Sequence, residues 1–543
     1  MSPFFPILIL LAGAAVTAAG AFLPRALRGL SSAAPVLAAL LALGSMLLVG
    51  LRLPAQVTVS AWSPQSLFPN GLNLMADRIT WLFSLAVLAA ALAVFLTGLS
   101  RGGGPRVGPR TATLIVTAAA LAAIQAENLI ALAITWAVLD LTTFITLILL
   151  AQGEDLETQA VLGLGFNAAA VLLAVAAAVD TLHSGQTSFL VGASPLTGRG
   201  AVLLVLAAVF RLGVFPFHLG LPMEANIRQG IGTLLRLAPA AVALNLLTHI
   251  AAFTPETPLK FWLSLAAAVG LLVGAALWWD AADPRQGISF AVLAHSSLAV
   301  LAALWGGASA AAAGVLGFGL ALVLGGAVMF LHNGYNETDR GWVAASLLGA
   351  LTLAGLPLTV GYAGAAALYN GLAASGAWVL LAVCLIGQLF VCASYIRLAF
   401  WPGDALPKGE PAIGLSYLFG LTLPLAVALL AGLGAAFAGT LGGLPAPTLF
   451  SLDAVLPAGA VAVTVLGGFG LWQFEDRVRA RAAPVWNAAT SAARLDWLYV
   501  IFWEGYRFIG RTLRTAAVII EGEGGVLWTI VAAMLVWLLF RGK

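Results

Sequence analysis

Charged side chains are scarce in this 543-residue sequence, where they make up 9% of the residues; a soluble domain carries about 25%. Hydrophobic residues make up 61%, and the mean hydropathy is +1.02. The shortage of charge excludes a large soluble domain, because too few polar groups are present to cover its surface. The composition predicts one bundle of membrane-spanning helices in contact with the lipid bilayer.

Cysteine is almost absent as well. The two cysteines, Cys384 and Cys392, stand on one predicted helix, and their spacing separates them by roughly 12 Å along its axis. That distance excludes a disulfide between them, and two separated thiols do not hold an iron–sulfur cluster. The sequence also lacks a phosphate-binding glycine loop. We therefore expect no redox centre, cofactor or metal in this chain and interpret both cysteines as small apolar core residues.

Long apolar segments fill most of the chain. A helix needs about 20 residues to cross the hydrocarbon core, and sixteen segments satisfy that requirement. The fold class is therefore predicted as all-α and polytopic, with about sixteen transmembrane helices. The first segment lacks a basic n-region and is too long for a signal peptide, so we expect it to remain as the first span. The predicted spans are 3–24, 32–54, 79–100, 110–126, 128–151, 157–180, 200–220, 229–253, 259–280, 286–306, 308–332, 342–373, 376–400, 412–440, 455–474 and 523–541.

Basic residues are distributed unevenly between the loops. Loops that follow odd-numbered spans hold most of the 25 lysines and arginines, including Arg397 and the cluster after residue 475. Basic loops stay in the cytoplasm, so both termini are expected on the outer face of the inner (plasma) membrane. The net charge of +3 is then a signal of topology, and no nucleic-acid partner is implied.

Two prolines divide the sequence into repeats. Span 7 carries Pro216 and span 12 carries Pro357, five spans apart. Two five-helix repeats, spans 4–8 (110–253) and spans 9–13 (259–400), place both prolines at corresponding positions, and an odd number of helices inverts the second repeat. Broken helices in inverted repeats are a transporter architecture with its ion site near mid-membrane. Ordinary proline kinks packed by neighbouring helices are the alternative.

Four further regions complete the predicted organisation. Spans 1–3 occupy 1–100, spans 14–15 occupy 412–474, and the final span occupies 523–541. Between the last two lies 475–522, in which arginines alternate with tryptophans and tyrosines. This pattern favours an amphipathic helix lying along the membrane surface, with a solvated cytoplasmic linker as the alternative.

A charged pair in spans 5 and 7 marks the candidate ion path. An arginine in mid-helix costs about 2.5–3.5 kcal/mol on insertion scales, so Arg211 needs a partner. Asp140 is expected at the same depth. Such a pair either belongs to a proton path or only holds the two helices in position.

Two histidines are the next candidates. His218 follows Pro216, where a break in the helix would admit water, and histidine titrates near physiological pH. His295 lies in the centre of span 10. Each could relay a proton or could instead be a core histidine bonded to a nearby carbonyl or hydroxyl group. Arg236 and Glu127 are secondary candidates, because Arg236 stands close enough to a helix end to snorkel and Glu127 lies at a span end.

The stretch 211–222 (Arg-Leu-Gly-Val-Phe-Pro-Phe-His-Leu-Gly-Leu-Pro) resembles a motif of the antiporter-like membrane subunits, Lys-x-x-x-x-Pro-Phe-His-x-x-x-Pro. These subunits occur in complex I, in Mrp-type cation/proton antiporters and in membrane-bound hydrogenases. Residues 128–140, with Trp136, resemble their fifth helix, 355–362 resemble the break in their twelfth, and 283–285 resemble the start of their tenth. The resemblance implies their fold, with a surface helix before the last span.

The sequence departs from that family at the relay positions. The family has a glutamate on helix 5 and lysines on helices 7, 8 and 11 or 12, which form a hydrated proton relay. Here Ala137 stands at the glutamate position, with Asp140 one turn on, and Arg211 replaces the first lysine. The remaining lysine positions hold Ala240, Gly326 and Ala365. A buried lysine can lose its proton, whereas arginine stays charged, so the resemblance implies a reduced relay.

Three functions remain open at this point. The first is an antiporter-like subunit of a complex I-related assembly of the NADH:quinone oxidoreductase or hydrogenase type, which translocates protons beside other membrane subunits. The second is an Mrp-like cation/proton antiporter, moving protons or Na⁺, or an ion-coupled inorganic-carbon uptake subunit. The third is a structural subunit of the membrane arm that does not pump. Asp140 is the single deep carboxylate, which weakens the second, and in the first any enzymatic activity would belong to the whole translocase.

Overall fold

The computed structural model describes residues 2–22, 28–60, 71–100, 107–150, 154–183, 198–221, 230–251, 257–336, 341–403, 411–449, 451–481 and 524–541, with separate positions between 491 and 515. The described chain is nearly all helical. Its helices are α1 Phe5–Ala19, α2 Arg28–Gly50, α3 Arg78–Leu99, α4 Val107–Ile124, α5 Leu129–Leu150, α6 Glu154–His183, α7 Gly198–Arg211, α8 Ile231–Ile250, α9 Thr257–Asp280, α10 Ile288–Trp305, α11 Gly307–Leu331, α12 Trp342–Ala354, α13 Gly361–Ala374, α14 Trp378–Ala399, α15 Pro411–Ala438, α16 Val455–Gln473 and α17 Gly524–Arg541.

Each predicted span coincides with a helix, and span 12 coincides with two, α12 and α13. Twelve of the described helices are long and apolar enough to cross a membrane. The other four spans, numbers 1, 7, 12 and 16, contain shorter apolar helices. The prediction of an all-α polytopic membrane protein is confirmed.

The chain forms two compact units, residues 1–478 and 479–543. In the first, α11 is the central helix, buried from residue 313 to residue 331 and in contact with α3, α8, α10, α12, α13 and α15. Its glycines explain this position: a Cβ on Gly317 would lie 2.6 Å from the backbone nitrogen of Gly364 on α13. Without side chains at these points the helix backbones can approach closely.

A short hairpin between α2 and α3 adds strands that the sequence analysis did not anticipate. Strands β1 Ala55–Ser60 and β2 Leu72–Ala76 pair antiparallel. The backbone nitrogen of Met75 donates to the carbonyl of Gln125 at 2.7 Å, and that of Glu127 donates to the carbonyl of Asn73 at 3.1 Å. The hairpin therefore lies against the connection between α4 and α5. A second small pair, β3 Thr440–Leu441 and β4 Leu444–Pro445, follows α15.

Spans 7 and 12 are both interrupted, as expected from their prolines. Helix α7 ends at Arg211; Gly213 then takes a positive φ of 62°, and a 3-10 turn runs over Phe217–Gly220. Helix α12 ends at Ala354, where Gly355 adopts the left-handed conformation with φ of 81°, and α13 begins at Gly361. Glycine tolerates these angles without steric cost. The inverted relation of the two repeats remains a prediction.

Some sequence predictions fall on residues outside the described ranges. They include Pro222 and most of the proposed surface segment 475–522, of which only 475–481 and separate positions from 491 to 515 are described. Within the second unit, Glu504 pairs with Arg507 at 3.2 Å and with Arg511 at 3.7 Å. A membrane-surface helix in this segment remains a prediction.

Candidate functional site

The break in span 7 places a charged pair in the protein interior. Arg211 is the last residue of α7, and its Nη2 lies 2.6 Å from Oδ1 of Asp140 on α5, while Nη1 lies 3.0 Å from Oδ2. Asp140 keeps 5% of its side chain exposed and Arg211 none. The two parallel hydrogen bonds form the bidentate geometry that an arginine makes with a carboxylate. The expected pairing of these side chains is present.

Trp136 fixes the arginine from one side. It lies one turn before Asp140 on α5, and the guanidinium carbon of Arg211 lies 4.6 Å from the centre of its ring. An arginine over the face of a desolvated tryptophan gains roughly 2 kcal/mol or more from the ring quadrupole. The aspartate and the tryptophan, both on α5, therefore hold the guanidinium in one position.

A cavity of about 60 Å³ adjoins this pair. It lies between α5, α6, α7 and α8, and its polar lining includes Asp140, Thr143, Arg211 and Arg236. A single buried water needs roughly 10–15 Å³ of such space, so the cavity has room for several.

Two lining atoms need hydrogen-bond partners that the described protein does not supply. Nε of Arg211 and Oγ1 of Thr143 are buried and have no partner among the described residues. Thr143 lies one turn after Asp140, on the same face of α5. Buried waters bind at such unsatisfied groups, so water in the cavity would bond to both atoms.

His218 stands beyond the break, in the 3-10 turn that follows Pro216. Its residue is 1% exposed, and its ring stacks on Phe215 with centroids 5.5 Å apart. The neighbouring Phe217 lines the cavity, whereas His218 itself does not. The structure thus places His218 close to the cavity wall rather than in it.

Arg236 corrects an expectation. The sequence position suggested a side chain that snorkels to the membrane surface, but the residue is 5% exposed. Its Nε donates to Oγ of Ser289 on α10 at 3.1 Å, and Nη1 donates to the carbonyl of Gly232 at 3.0 Å. Protein buries 94% of the α8 span, so no lipid-facing surface is available for the side chain to follow. Arg236 becomes the second guanidinium of the cavity.

The break in span 12 is built differently. Nε2 of His295 on α10 lies 3.0 Å from the carbonyl of Leu353, in the last turn of α12. The hydroxyl of Tyr395 on α14 lies 2.9 Å from Nδ1 of the same ring. Nδ1 also lies 3.3 Å from the carbonyl of Ala291, so both ring nitrogens are within hydrogen-bond distance of neighbouring groups. Gln388 also reaches the Leu353 carbonyl, at 3.5 Å, so side chains satisfy the freed backbone group.

Comparisons with known proteins agree with this architecture. No family model matches the sequence. Curated relatives do match, and they are named NADH-quinone oxidoreductase subunit N. That of Rhodopseudomonas palustris (strain BisA53) is 27% identical over 41% of this chain, and the chain spans about half of its length, 52%. That of Solidesulfovibrio magneticus is 29% identical over 51% of this chain and 70% of its own length, and that of Desulforamulus reducens is 25% identical over 70% and 86%.

Solved structures extend the similarity over the whole fold. The Mrp complex from Dietzia sp. DQ12-45-1b superposes with a TM-score of 0.76 over 98% of this chain and 62% of the matched chain, at 18% identity. A membrane-bound sulfane sulfur reductase, an archaeal respiratory complex, gives 0.69 over 99% of both chains at 14% identity. A chain of respiratory complex I from Thermus thermophilus gives 0.62 over 86% of this chain and 100% of its own, at 19% identity. The chain is thus similar in sequence to curated subunit N proteins and shares the fold of these solved chains.

At three positions where the family resemblance predicted a lysine, this chain has an uncharged residue. Ala240, Gly326 and Ala365 are buried apolar residues in the structure. A Cβ on Gly326 would meet Leu237 at 3.3 Å and Phe330 at 3.4 Å, so close packing fills this site. Ala240 lines the cavity beside Arg236, which stands one turn earlier on α8. The cationic side chain of α8, Arg236, thus lies one helical turn before the position at which a lysine was expected.

Glu127 lies at the end of the bundle, apart from the charged pair. Its two carboxylate oxygens accept hydrogen bonds from Nε2 of Gln56 on β1 at 2.6 and 2.7 Å. It does not line the cavity at Asp140. Glu127 therefore holds the β1–β2 hairpin against the connection between α4 and α5. Among the described residues no group of three or more histidine, cysteine, aspartate or glutamate side chains could hold a metal ion.

Sequence reasoning missed several polar contacts. Tyr395 and Gln388 at the second break and Ser289 beside Arg236 stand in apolar helices without any motif to mark them. At the end of the bundle, Nε2 of His249 on α8 lies 3.2 Å from Oδ2 of Asp77, the N-cap of α3. Burial raises the pKa of Asp77, but the hydrogen bond and charge of His249 and the bonds to Thr80 outweigh it and lower the pKa to about 2.

Proposed function

We propose that this protein is an antiporter-like membrane subunit of a complex I-related assembly and takes part in proton translocation. Support comes from relatives named NADH-quinone oxidoreductase subunit N and from the shared fold. The observation that carries the proposal is the buried Asp140–Arg211 pair on a cavity large enough for several waters, at a broken helix. Membrane proteins keep buried charges mainly on ion paths.

Asp140 is the group that would exchange protons. Arg211 stays protonated, since arginine does not deprotonate in proteins. A proton arriving through water in the cavity would bind a carboxylate oxygen of Asp140 and cancel its charge. The salt bridge then loses its Coulomb attraction, and Arg211 is left as an uncompensated buried charge until the proton departs. Arg211 and Arg236 would set the electrostatic potential of the cavity. The protonation of Asp140 would decide whether its salt bridge with Arg211 is formed.

The proposal places the protein in an inner (plasma) membrane with both termini on the outer face, following the arginine distribution. Its partners would be the other membrane subunits of the assembly, and the redox centres would belong to them. Protons fit the site better than Na⁺, because Asp140 is the single carboxylate among the described residues that line the cavity and it is already bonded to a guanidinium. A dehydrated Na⁺ needs several oxygen ligands.

Purification of the assembly from its native membrane, followed by reconstitution in vesicles, tests the proposal. We expect Asp140→Asn to lower the number of protons moved per turnover while electron transfer continues. Asp180→Asn, near the end of α6 and outside the cavity lining, is the matched control and should pump normally. Normal pumping by a fully assembled Asp140→Asn complex would show that protons do not pass through Asp140.

Two observations favour a second function, that of a structural subunit that does not pump. In the second repeat, both ring nitrogens of His295 are hydrogen-bonded, whereas a proton relay would need a histidine that can move. Gly326 and Ala365, where the resemblance predicted lysines, are buried and uncharged. Under this alternative, Asp140→Asn would reduce the amount of assembled complex and leave protons per turnover unchanged. The reconstitution experiment separates the two, because it measures pumping only in complexes that have assembled.

A further inference from the structure

A second and larger cavity, of about 670 Å³, opens at one end of the bundle. We call it the α9–α13 cleft; its walls include Lys260, Trp305, Gly306, Gly371, Asn370 and Asp453. No described residue lines both this cleft and the cavity at Asp140. Volumes of 300–1,000 Å³ are typical of small-molecule sites.

Small residues create the space. The lining from α11 and α13 consists largely of glycine and alanine, and Gly371 brings α13 against the backbone carbonyl of Trp305 at the end of α10. The chain then turns sharply into α11 through Gly306 and Gly307, the latter at a φ of 75°. Because these residues carry almost no side chain, the groove between the helices stays open.

Lys260 provides a fixed positive charge at the cleft wall. Its Nζ lies 4.0 Å above the centre of the Trp305 ring, and Nε1 of that tryptophan donates to Oγ of Ser264 at 2.8 Å. The ring is therefore held in place, and the cation–π contact holds the ammonium over it. No carboxylate of the described residues forms an ion pair with Lys260, so its charge is available to a ligand.

Asp453 provides a negative charge on the same cleft. It belongs to a 3-10 turn, Leu452–Ala454, that two hydrogen bonds fix to α13. Nδ2 of Asn370 donates to the Asp453 carbonyl at 2.8 Å, and the hydroxyl of Tyr362 donates to the Ala454 carbonyl at 2.9 Å. The carboxylate makes no ion pair within the described chain. The cleft thus presents one cation and one anion, each held by its backbone or a neighbouring ring.

The rim of the cleft continues into a surface suited to lipid. Phe261 and Trp262 follow Lys260 on α9, with 59% and 63% of their surfaces exposed, and their rings meet edge to face at 5.4 Å. Leu265, one turn on, is 43% exposed. Exposed aromatic residues at the end of a span lie at the level of lipid head groups. A ligand at Lys260 would therefore lie beside an exposed apolar face of the same helix.

We propose that the α9–α13 cleft binds a phospholipid with a zwitterionic head group. The phosphate lies at the ammonium of Lys260, the head-group ammonium lies toward the carboxylate of Asp453, and the acyl chains run along the exposed apolar side of α9. Basic pockets between membrane helices recognise lipid head groups in this way. The added carboxylate selects a head group with a positive end over an anionic one.

Native mass spectrometry of the purified full chain tests the site. The protein is delipidated in mild detergent and exposed to equal amounts of phosphatidylethanolamine and phosphatidylglycerol. We expect the wild type to retain phosphatidylethanolamine preferentially, Lys260→Met to retain about tenfold less of both lipids, and Asp453→Asn to bind both equally. Arg199→Met, an exposed basic residue at the start of α7, is the control and should match the wild type.

Two further measurements keep the test decisive. The melting temperature of each variant in detergent without lipid should equal that of the wild type, so that lost binding cannot reflect unfolding. Glycerophosphoethanolamine, which has the head group and no acyl chains, should fail to displace the bound lipid. Equal lipid retention by the wild type and Lys260→Met, or displacement by the soluble head group, would overturn the proposal.

Discussion

The two broken spans solve the same backbone problem with different chemistry. In span 7 the interruption lies beside a bidentate ion pair and a cavity, with Arg211 and Asp140 at the wall. In span 12 it lies beside His295 and Gln388, which both reach the Leu353 carbonyl, and beside Tyr395, which bonds the His295 ring. A helix break in a membrane must have its polar groups satisfied by protein or water. The first break leaves room for water, whereas backbone amides and side chains satisfy the carbonyls of Leu351, Thr352 and Leu353 at the second.

This difference shows that two broken spans of one fold can be stabilised with and without an ion pair beside the break. In the second repeat, Gly326 and Ala365 are packed among apolar neighbours. The first repeat has a buried ion pair directly beside its broken span, and a buried charge requires its partner. The halves should therefore respond differently to substitution.

Breaking the ion pair should have the largest effect. Arg211→Gln removes one partner and leaves Asp140 as an unpaired buried carboxylate, which we expect to cost about 3–5 kcal/mol of stability. Asp140→Asn should cost a similar amount, and the double variant much less than the sum. Chemical unfolding of the four proteins in detergent gives the coupling energy. Additive losses would show that the two charges are energetically independent.

Exchanging the arginine for lysine sharpens the comparison. Arg211→Lys keeps the charge but cannot form two parallel bonds, so we expect a loss of about 1.5–3 kcal/mol, the value of one charge-assisted hydrogen bond. A buried lysine can release its proton, so protons moved per turnover should rise in reconstituted assemblies. An unchanged ratio would mean that the cationic residue of the pair does not limit proton transfer.

The second break should be sensitive in stability alone. His295→Leu removes the donor to the Leu353 carbonyl and the partner of the Tyr395 hydroxyl, at a cost of about 1–3 kcal/mol for the unsatisfied groups. We expect protons per turnover to stay at the wild-type value, because both ring nitrogens of His295 are held in hydrogen bonds within the protein. A fall in pumping at wild-type assembly would give His295 a place in the relay.

The smallest effect is expected at the end of the bundle, where Asp77 caps α3 and bonds His249. Asn also serves as an N-cap, so Asp77→Asn should cost only about 1 kcal/mol near pH 6. The folded pKa of Asp77, about 2, lies below its ordinary value of 3.8. The stabilisation is therefore complete above pH 4 and is lost as the pH falls toward 2. Melting temperatures of both proteins should converge over that range; a constant difference would exclude this charge as the cause.

Much of the fold followed from local sequence features. The spans could be predicted because a run of about 20 apolar residues must cross the membrane as a helix, and the breaks because proline and glycine interrupt hydrogen bonding. The pairing of Asp140 and Arg211 followed from depth and charge alone. The hairpin over α4 and α5 did not, because its register depends on a contact between segments that are distant in the chain.

The environments of single polar residues were decided by tertiary structure. Arg236 lies near a helix end in the sequence, yet protein surrounds that end, and the side chain turns to Ser289 instead of the membrane surface. His295 and Tyr395 stand a hundred residues apart and meet because α10 and α14 pack side by side.

The sequence by itself determined a polytopic helical membrane protein, the two interrupted spans and the identity of the buried pair, because hydropathy, proline and mid-membrane charge act locally along the chain. Only the tertiary structure decided that the first break borders a cavity, that His295 and Gln388 meet the Leu353 carbonyl at the second, and that a cleft with Lys260 and Asp453 opens at the end of the bundle. Cavities arise where side chains from several helices fail to fill the space between them. That property belongs to the packing of the whole bundle.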